Sequence, residues 1–109
     1  MISKELLEAI SVLDTVENIH ERTASSIDIG TDVPPYSHMA NVYEVAHACK
    51  VWALTKCDSV ISTYWNKDIN KFVSLIMENW LEDNYSFEAS SEPEAVFKAA
   101  QWIYDETRS

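Results

Sequence analysis

Apolar residues recur at three- and four-residue steps from the start of this chain: Ile2, Leu6, Ile10, Leu13, Val16 and Ile19. That period predicts a helix from Ser3 to about His20, with Glu8, Asp14, Glu17 and Glu21 on its other face. Ser3 stands where an N-cap belongs, and Glu5 and Glu8 lie near the positive end of the helix dipole. Between Glu21 and Tyr36 the period is lost, among Ser25, Ser26, Gly30, Thr31, Asp32, Pro34 and Pro35. This predicts a long loop that ends in an extended Pro-Pro segment.

Ser37 then predicts the cap of a second helix, reaching about Leu54. Its apolar stripe is Met39, Val42, Ala46, Cys49, Val51, Trp52 and Ala53. SVISTYW, Ser59 to Trp65, alternates β-branched and aromatic residues and predicts a strand, with NKDIN as the following turn. KFVSLIMENWLED reads two ways. As a helix over 69–82 it aligns Ile69, Phe72, Val73, Ile76, Trp80 and Leu81; as a strand it sets Phe72, Ser74 and Ile76 against Val73, Leu75 and Met77. The short, dense apolar run and the turn-like ENWLEDN behind it favour the strand, and the helix stays open as the alternative. YSFEA, Tyr85 to Ala89, predicts a third strand. SSEPEAVFKAAQWIYDE predicts a closing helix: Ser91 and Glu94 form a capping box, Pro93 sits in the first turn, and Val96, Ala99, Ala100 and Ile103 make the buried stripe. Asp105 and Glu106 stand at its unfavourable, negative end. The expected fold is a single α+β domain over 1–109: a small antiparallel three-stranded meander flanked by helices, in the order α-α-β-β-β-α.

Composition narrows the partners. The 109 residues are 47% hydrophobic, enough for one core stabilised by burial without metal or disulfide staples. The net charge of -10 argues against direct binding to nucleic-acid phosphates or an anionic membrane, and favours a basic partner. MISKELLEAI lacks a basic leader and a long apolar run, so a cytoplasmic location is expected. Cys49 and Cys57 are eight apart, neither a redox nor a zinc pair, and read as reduced thiols. Gly30 is the only glycine, which excludes a phosphate-cradling loop, a dinucleotide fingerprint and a nucleophile elbow.

Catalytic and metal chemistry find little footing. His38 and His47 fall on the same predicted helix but nine residues apart, roughly 900° of turn, so they point opposite ways. His20 is further off, and His47 with Cys49 diverge at i and i+2. No metal, cofactor or catalytic residue is expected. Paired carboxylates for glycoside chemistry would need a defined separation and a raised pKa, and no cleft is indicated. The acids Glu78, Glu82, Asp83, Glu88, Glu92 and Glu94 nevertheless fall in a stretch, Phe72 to Phe97, without Lys or Arg, whereas Lys4, Lys50, Lys56, Lys67 and Lys71 interrupt the rest. They form either a solvated surface or one that engages a basic groove in the place of phosphates. Four tryptophans and five tyrosines exceed what a core this small can hide. Tyr36 and Trp80 are the candidates for exposed aromatics at an interface with a partner or in a homodimer.

VPPYSHMANVYEVAHA and SFEASSEPEAVFKAAQWIYDE resemble two blocks of the phage ABA sandwich domain family, small proteins of tailed phages and prophages. There a PPYST-type segment opens a helix, a small antiparallel sheet follows, and a strand runs into a TAPEAICRAAL-type helix, matched here by Ser91 to Ala100. The resemblance covers about Asp32 to Tyr104. It departs at Ser37-His38, where Ser-Thr-Asp is common, and at NKDIN, where the family has a Trp-rich turn with glycine. It implies a phage accessory protein acting inside a bacterial host, with no catalytic residues. With the charge and the size, the expectation is a non-enzymatic acidic inhibitor of a host defence or nucleic-acid-processing complex, of anti-CRISPR or anti-restriction type. The alternative is an adaptor or homodimeric module bound through exposed aromatics.

Overall fold

Ser3 caps the first helix as its sequence predicts: its hydroxyl accepts from the Leu6 amide at 3.2 Å. A computed structural model of the chain describes residues 3–10, 18–23, 26–30, 37–77 and 85–108. Helix α1 spans Lys4–Ala9, far short of the helix expected to His20. Strand β1, Asn18–Thr23, and strand β2, Ser26–Gly30, stand where the end of that helix and the loop 21–36 were expected. The reason lies in residue type. Ile19 and Thr23 of β1 and Ile27 and Ile29 of β2 carry branched Cβ atoms, which weaken a helix and suit a strand; residues 11–17 lie outside the described residues. SIDIG itself alternates with period two, a strand signal that the nearby serines, glycine and prolines obscured.

Strand β3, Ser37–Asn41, corrects the second helix start as well. Ser37 is not a helix cap. Helix α2 begins at Val42 and ends at Cys57, and Asn41 caps it by accepting the Tyr43 amide at 2.8 Å. Strands β1, β2 and β3 form an antiparallel sheet in sequence order, with an irregularity between Glu21 and Thr23. Strands β4 (Val60–Asn66), β5 (Lys71–Met77) and β6 (Tyr85–Ala89) form the expected antiparallel meander, and helix α3, Glu92–Arg108, closes the chain. The α+β class and the order α1, α2, β4–β5–β6, α3 are thus as expected, with the β1–β3 sheet inserted before α2. The stretch 71–77 is strand, paired residue by residue from Val60↔Met77 to Asn66↔Lys71. The turn-like segment ENWLEDN lies outside the described residues.

The turns supply left-handed backbone without glycine. Asp58 ends α2 at φ 52°, and Asn70 closes the β4–β5 turn at φ 57°. Asp and Asn tolerate this region better than other residues with a Cβ, because their short polar side chains bond locally. Ser59 then secures the exit, its amide and hydroxyl donating to the carbonyls of Ala53 and Cys57 at 2.9 and 3.0 Å.

Helices α2 and α3 pack on each other and on one face of the β4–β6 sheet. Strand alternation and register put Ile61, Thr63 and Trp65 on that face, beside Phe72, Ser74 and Ile76 of β5 and Tyr85, Phe87 and Ala89 of β6. The core joins Leu6 and Leu7 of α1, Val45, Cys49 and Ala53 of α2, Ile61 and Ile76 of the sheet, and the expected stripe Val96, Ala99, Ala100 and Ile103 of α3. Full burial of Ile76 or Ile103 stabilises the fold by about 1.5–3 kcal/mol each. Val51, expected in the α2 stripe, is exposed, and Val45 takes its place in the core. The backbone amide of Ser3 donates to Gln101 Oε1 at 3.0 Å and ties α1 to α3.

Candidate functional site

Glu88 lies on β6, opposite Val73 of β5, and therefore on the sheet face turned away from the helices. Glu92 and Glu94 follow within the first turn of α3. All three are exposed, so half of the acidic candidates fall about the β6–α3 corner, Glu88 on the sheet face away from the helices and Glu92 and Glu94 at the start of α3. Glu78, Glu82 and Asp83 lie outside the described residues, as do the aromatic candidates Tyr36 and Trp80.

Local chemistry accounts for part of this acidity. Ser91 Oγ accepts the Glu94 amide at 3.4 Å, one half of the expected capping box. Glu94 does not reach back to the Ser91 amide; its carboxylate accepts from Ser90 Oγ at 3.3 Å instead. Both Glu92 and Glu94 sit where the helix dipole favours negative charge. Glu88 and Glu92 have no side-chain hydrogen bond or ion pair among the described residues. Lys98, the nearest cation in sequence, donates its ammonium to the Glu88 backbone carbonyl at 2.7 Å, not to a carboxylate.

The exposed aromatics are different from those expected. Trp52 is buried in the core against Tyr104, with ring centroids 6.1 Å apart. Trp65 is 48% exposed and meets Phe72 edge-on at 4.9 Å, near the tip of the β4–β5 hairpin. Tyr43, Tyr64 and Tyr85 are also exposed. Val60, Tyr64 and Met77 share the sheet face that carries Glu88.

A groove that the sequence reading missed runs between β6 and α3. It is shallow and open to solvent, with a volume of about 300 Å³, and is lined by Phe87, Lys98, Gln101, Trp102 and Asp105. Tyr85 stacks on Trp102 with centroids 4.4 Å apart and planes 30° apart, and Phe87 flanks the same ring at 6.3 Å. The available signal was the spacing of Lys98, Trp102 and Asp105 by four and three residues, one stripe of a helix. A second depression, about 270 Å³, lies beside the end of α1 and is lined by Ile10, Ala48, Val51, Trp52 and Lys56 among others.

Burial pushes the Cys49 thiol up from 9.0 to about 12, so it holds its proton and is a poor nucleophile. His38 belongs to β3 and not to the helix of His47, which corrects the premise that the two share one element. Among the described residues, no three His, Cys, Asp or Glu side chains are placed to hold a metal ion. Among those residues, too, no helix is long and apolar enough to cross a membrane. The chain matches no protein-family model, no curated protein and no solved structure.

Proposed function

We propose that this chain is a non-enzymatic acidic binding protein that engages a basic protein surface through the carboxylates around β6 and the start of α3. The observation that carries the reading is the exposure of Glu88 and Glu92 without ionic partners among the described residues, in a stretch free of Lys and Arg. Carboxylates held on a strand and a helix turn keep their spacing, so they can occupy positions that a basic groove offers to phosphates. The net charge of -10 adds a long-range attraction that speeds the encounter. Charge, size and the resemblance to the phage ABA sandwich family together support a host defence or nucleic-acid-processing complex as the partner and a cytoplasmic inhibitor as the role of the chain.

Charge reversal tests this directly. Glu82→Lys, Asp83→Lys, Glu88→Lys and Glu92→Lys together should abolish retention of the partner. Glu92→Lys opposes the helix dipole and costs about 0.3–1 kcal/mol, so circular dichroism must show the variant still folded. A folded variant that binds as well as the parent contradicts the acidic-surface mechanism.

The exposed Val60, Tyr64 and Met77, which share one sheet face, support a second reading, an adaptor or homodimer joined through apolar contacts. Under it, Tyr64→Ala weakens association more than the charge reversals do, and association survives high salt.

A further inference from the structure

The groove between β6 and α3 has an aromatic wall and an oppositely charged group at each end. Along α3, Lys98, Trp102 and Asp105 follow at four- and three-residue steps, so the Cα atoms of Lys98 and Asp105 stand about 10 Å apart along the helix axis, on one stripe of the helix. Both groups are oriented from within. The Lys98 ammonium donates to the Glu88 carbonyl at 2.7 Å, which draws it toward β6. Gln101 is bonded at both ends of its amide: Oε1 accepts the Ser3 amide at 3.0 Å, and one N–H of Nε2 donates to Asp105 Oδ1 at 3.0 Å. That donation is the one hydrogen bond of the Asp105 carboxylate among the described residues, and it holds one oxygen while the residue stays exposed. Tyr85 and Phe87, on one face of β6, both pack against the Trp102 ring, with centroids 4.4 and 6.3 Å away.

We propose that this groove receives an arginine side chain of the basic partner, its stem along Trp102 and its guanidinium on Asp105. The proposal rests on the acidic-surface reading, which it sharpens by naming the group that the partner inserts. A guanidinium is planar and weakly hydrated; it stacks on an indole and offers a fork of N–H donors to a carboxylate, whereas an ammonium is a compact, strongly hydrated point charge. An anionic ligand would meet Asp105 and a molecule of net charge -10, and a second copy of the chain would bring the same charge. At the other end, Lys98 keeps further N–H donors for a backbone carbonyl of the segment that carries the arginine.

The test is a titration of the ¹⁵N-labelled full chain with acetyl-Gly-Arg-Gly-amide and, separately, with its lysine counterpart, followed by two-dimensional NMR. Trp102→Phe identifies the indole Nε1–H signal by its disappearance. The arginine peptide is expected to shift that signal and the Gln101 side-chain amide, and the lysine peptide to shift them far less. Asp105→Asn should weaken the arginine peptide by about fivefold or more. The combined Glu44→Gln and Asp68→Asn variant, which removes two exposed charges that do not line the groove and keeps Asp105, should change it by less than about twofold. An indole signal unmoved by the arginine peptide, equal shifts with lysine, or an affinity untouched by Asp105→Asn each overturn the arginine groove. If the groove fails while charge reversal at the acidic corner still abolishes partner binding, the acidic-surface reading stands without it.

Discussion

Two buried polar residues show how single side chains are managed in this core. Ser74 is fully buried, and its hydroxyl pairs with that of Thr63 directly across the β4–β5 ladder at 2.9 Å. Removing one partner leaves the other hydroxyl unsatisfied, so Ser74→Ala should cost about 1–2 kcal/mol in urea unfolding, while Ser74→Ala with Thr63→Val should cost less than the single change. A double variant as destabilised as the sum of the singles would deny the pair its coupling. Cys49 is managed by exclusion of water, which raises its pKa to about 12 from 9.0. The folded state keeps the neutral thiol, whereas the unfolded chain releases that proton near 9.0. Its contribution to stability is therefore whole below pH 9 and is lost as pH climbs from 9 toward 12. Urea midpoints at about pH 8 and about pH 10.5 should fall further for the parent than for Cys49→Ala. Equal falls would place the alkaline loss elsewhere.

At the scale of elements, turn chemistry decides where strands and helices stop. Asn70 holds φ 57° at the β4–β5 turn, so Asn70→Gly should leave stability unchanged or raise it slightly, while Asn70→Val should lower it by about 1–2 kcal/mol. Thermal melts of the two variants read this, and equal melts would mean that the turn relaxes away from the left-handed region. The β4–β5–β6 meander and α3 were legible because local signals agreed there. SVISTYW alternates, and EPEAVFKAAQWI keeps a clean apolar stripe behind its Ser91 cap. The β1–β3 sheet was not legible. Its strands are five or six residues long, and NIHERT and SHMAN carry too few apolar residues to show a period. Ser37 illustrates the resulting error: a serine after two prolines fits a helix cap, but Asn41 does that work four residues later. The acidic corner was legible as composition, since a stretch without Lys or Arg is visible in the sequence alone. The β6–α3 groove was not, because it needs Phe87 brought beside Trp102 by the docking of α3 on the sheet.

The molecule as a whole is an uneven polyanion. Its charge of -10 is carried on a fold in which both α2 and α3 cover one face of the second sheet, leaving Glu88 on the other face and Glu92 and Glu94 at the adjoining helix end. Attraction between such a surface and a basic partner acts through solvent, so its range shrinks from about 10 Å at 0.1 M salt to about 3 Å at 1 M. An apolar interface has no such dependence. The most direct measurement is a pull-down of the tagged full chain from lysate of phage-infected bacteria, washed in parallel at about 0.1 M and about 1 M salt, with the retained proteins identified. The acidic-surface account predicts a basic nuclease or defence complex held at the lower salt and shed at the higher. A partner held equally at both would contradict it and point to the exposed aromatic and aliphatic residues instead.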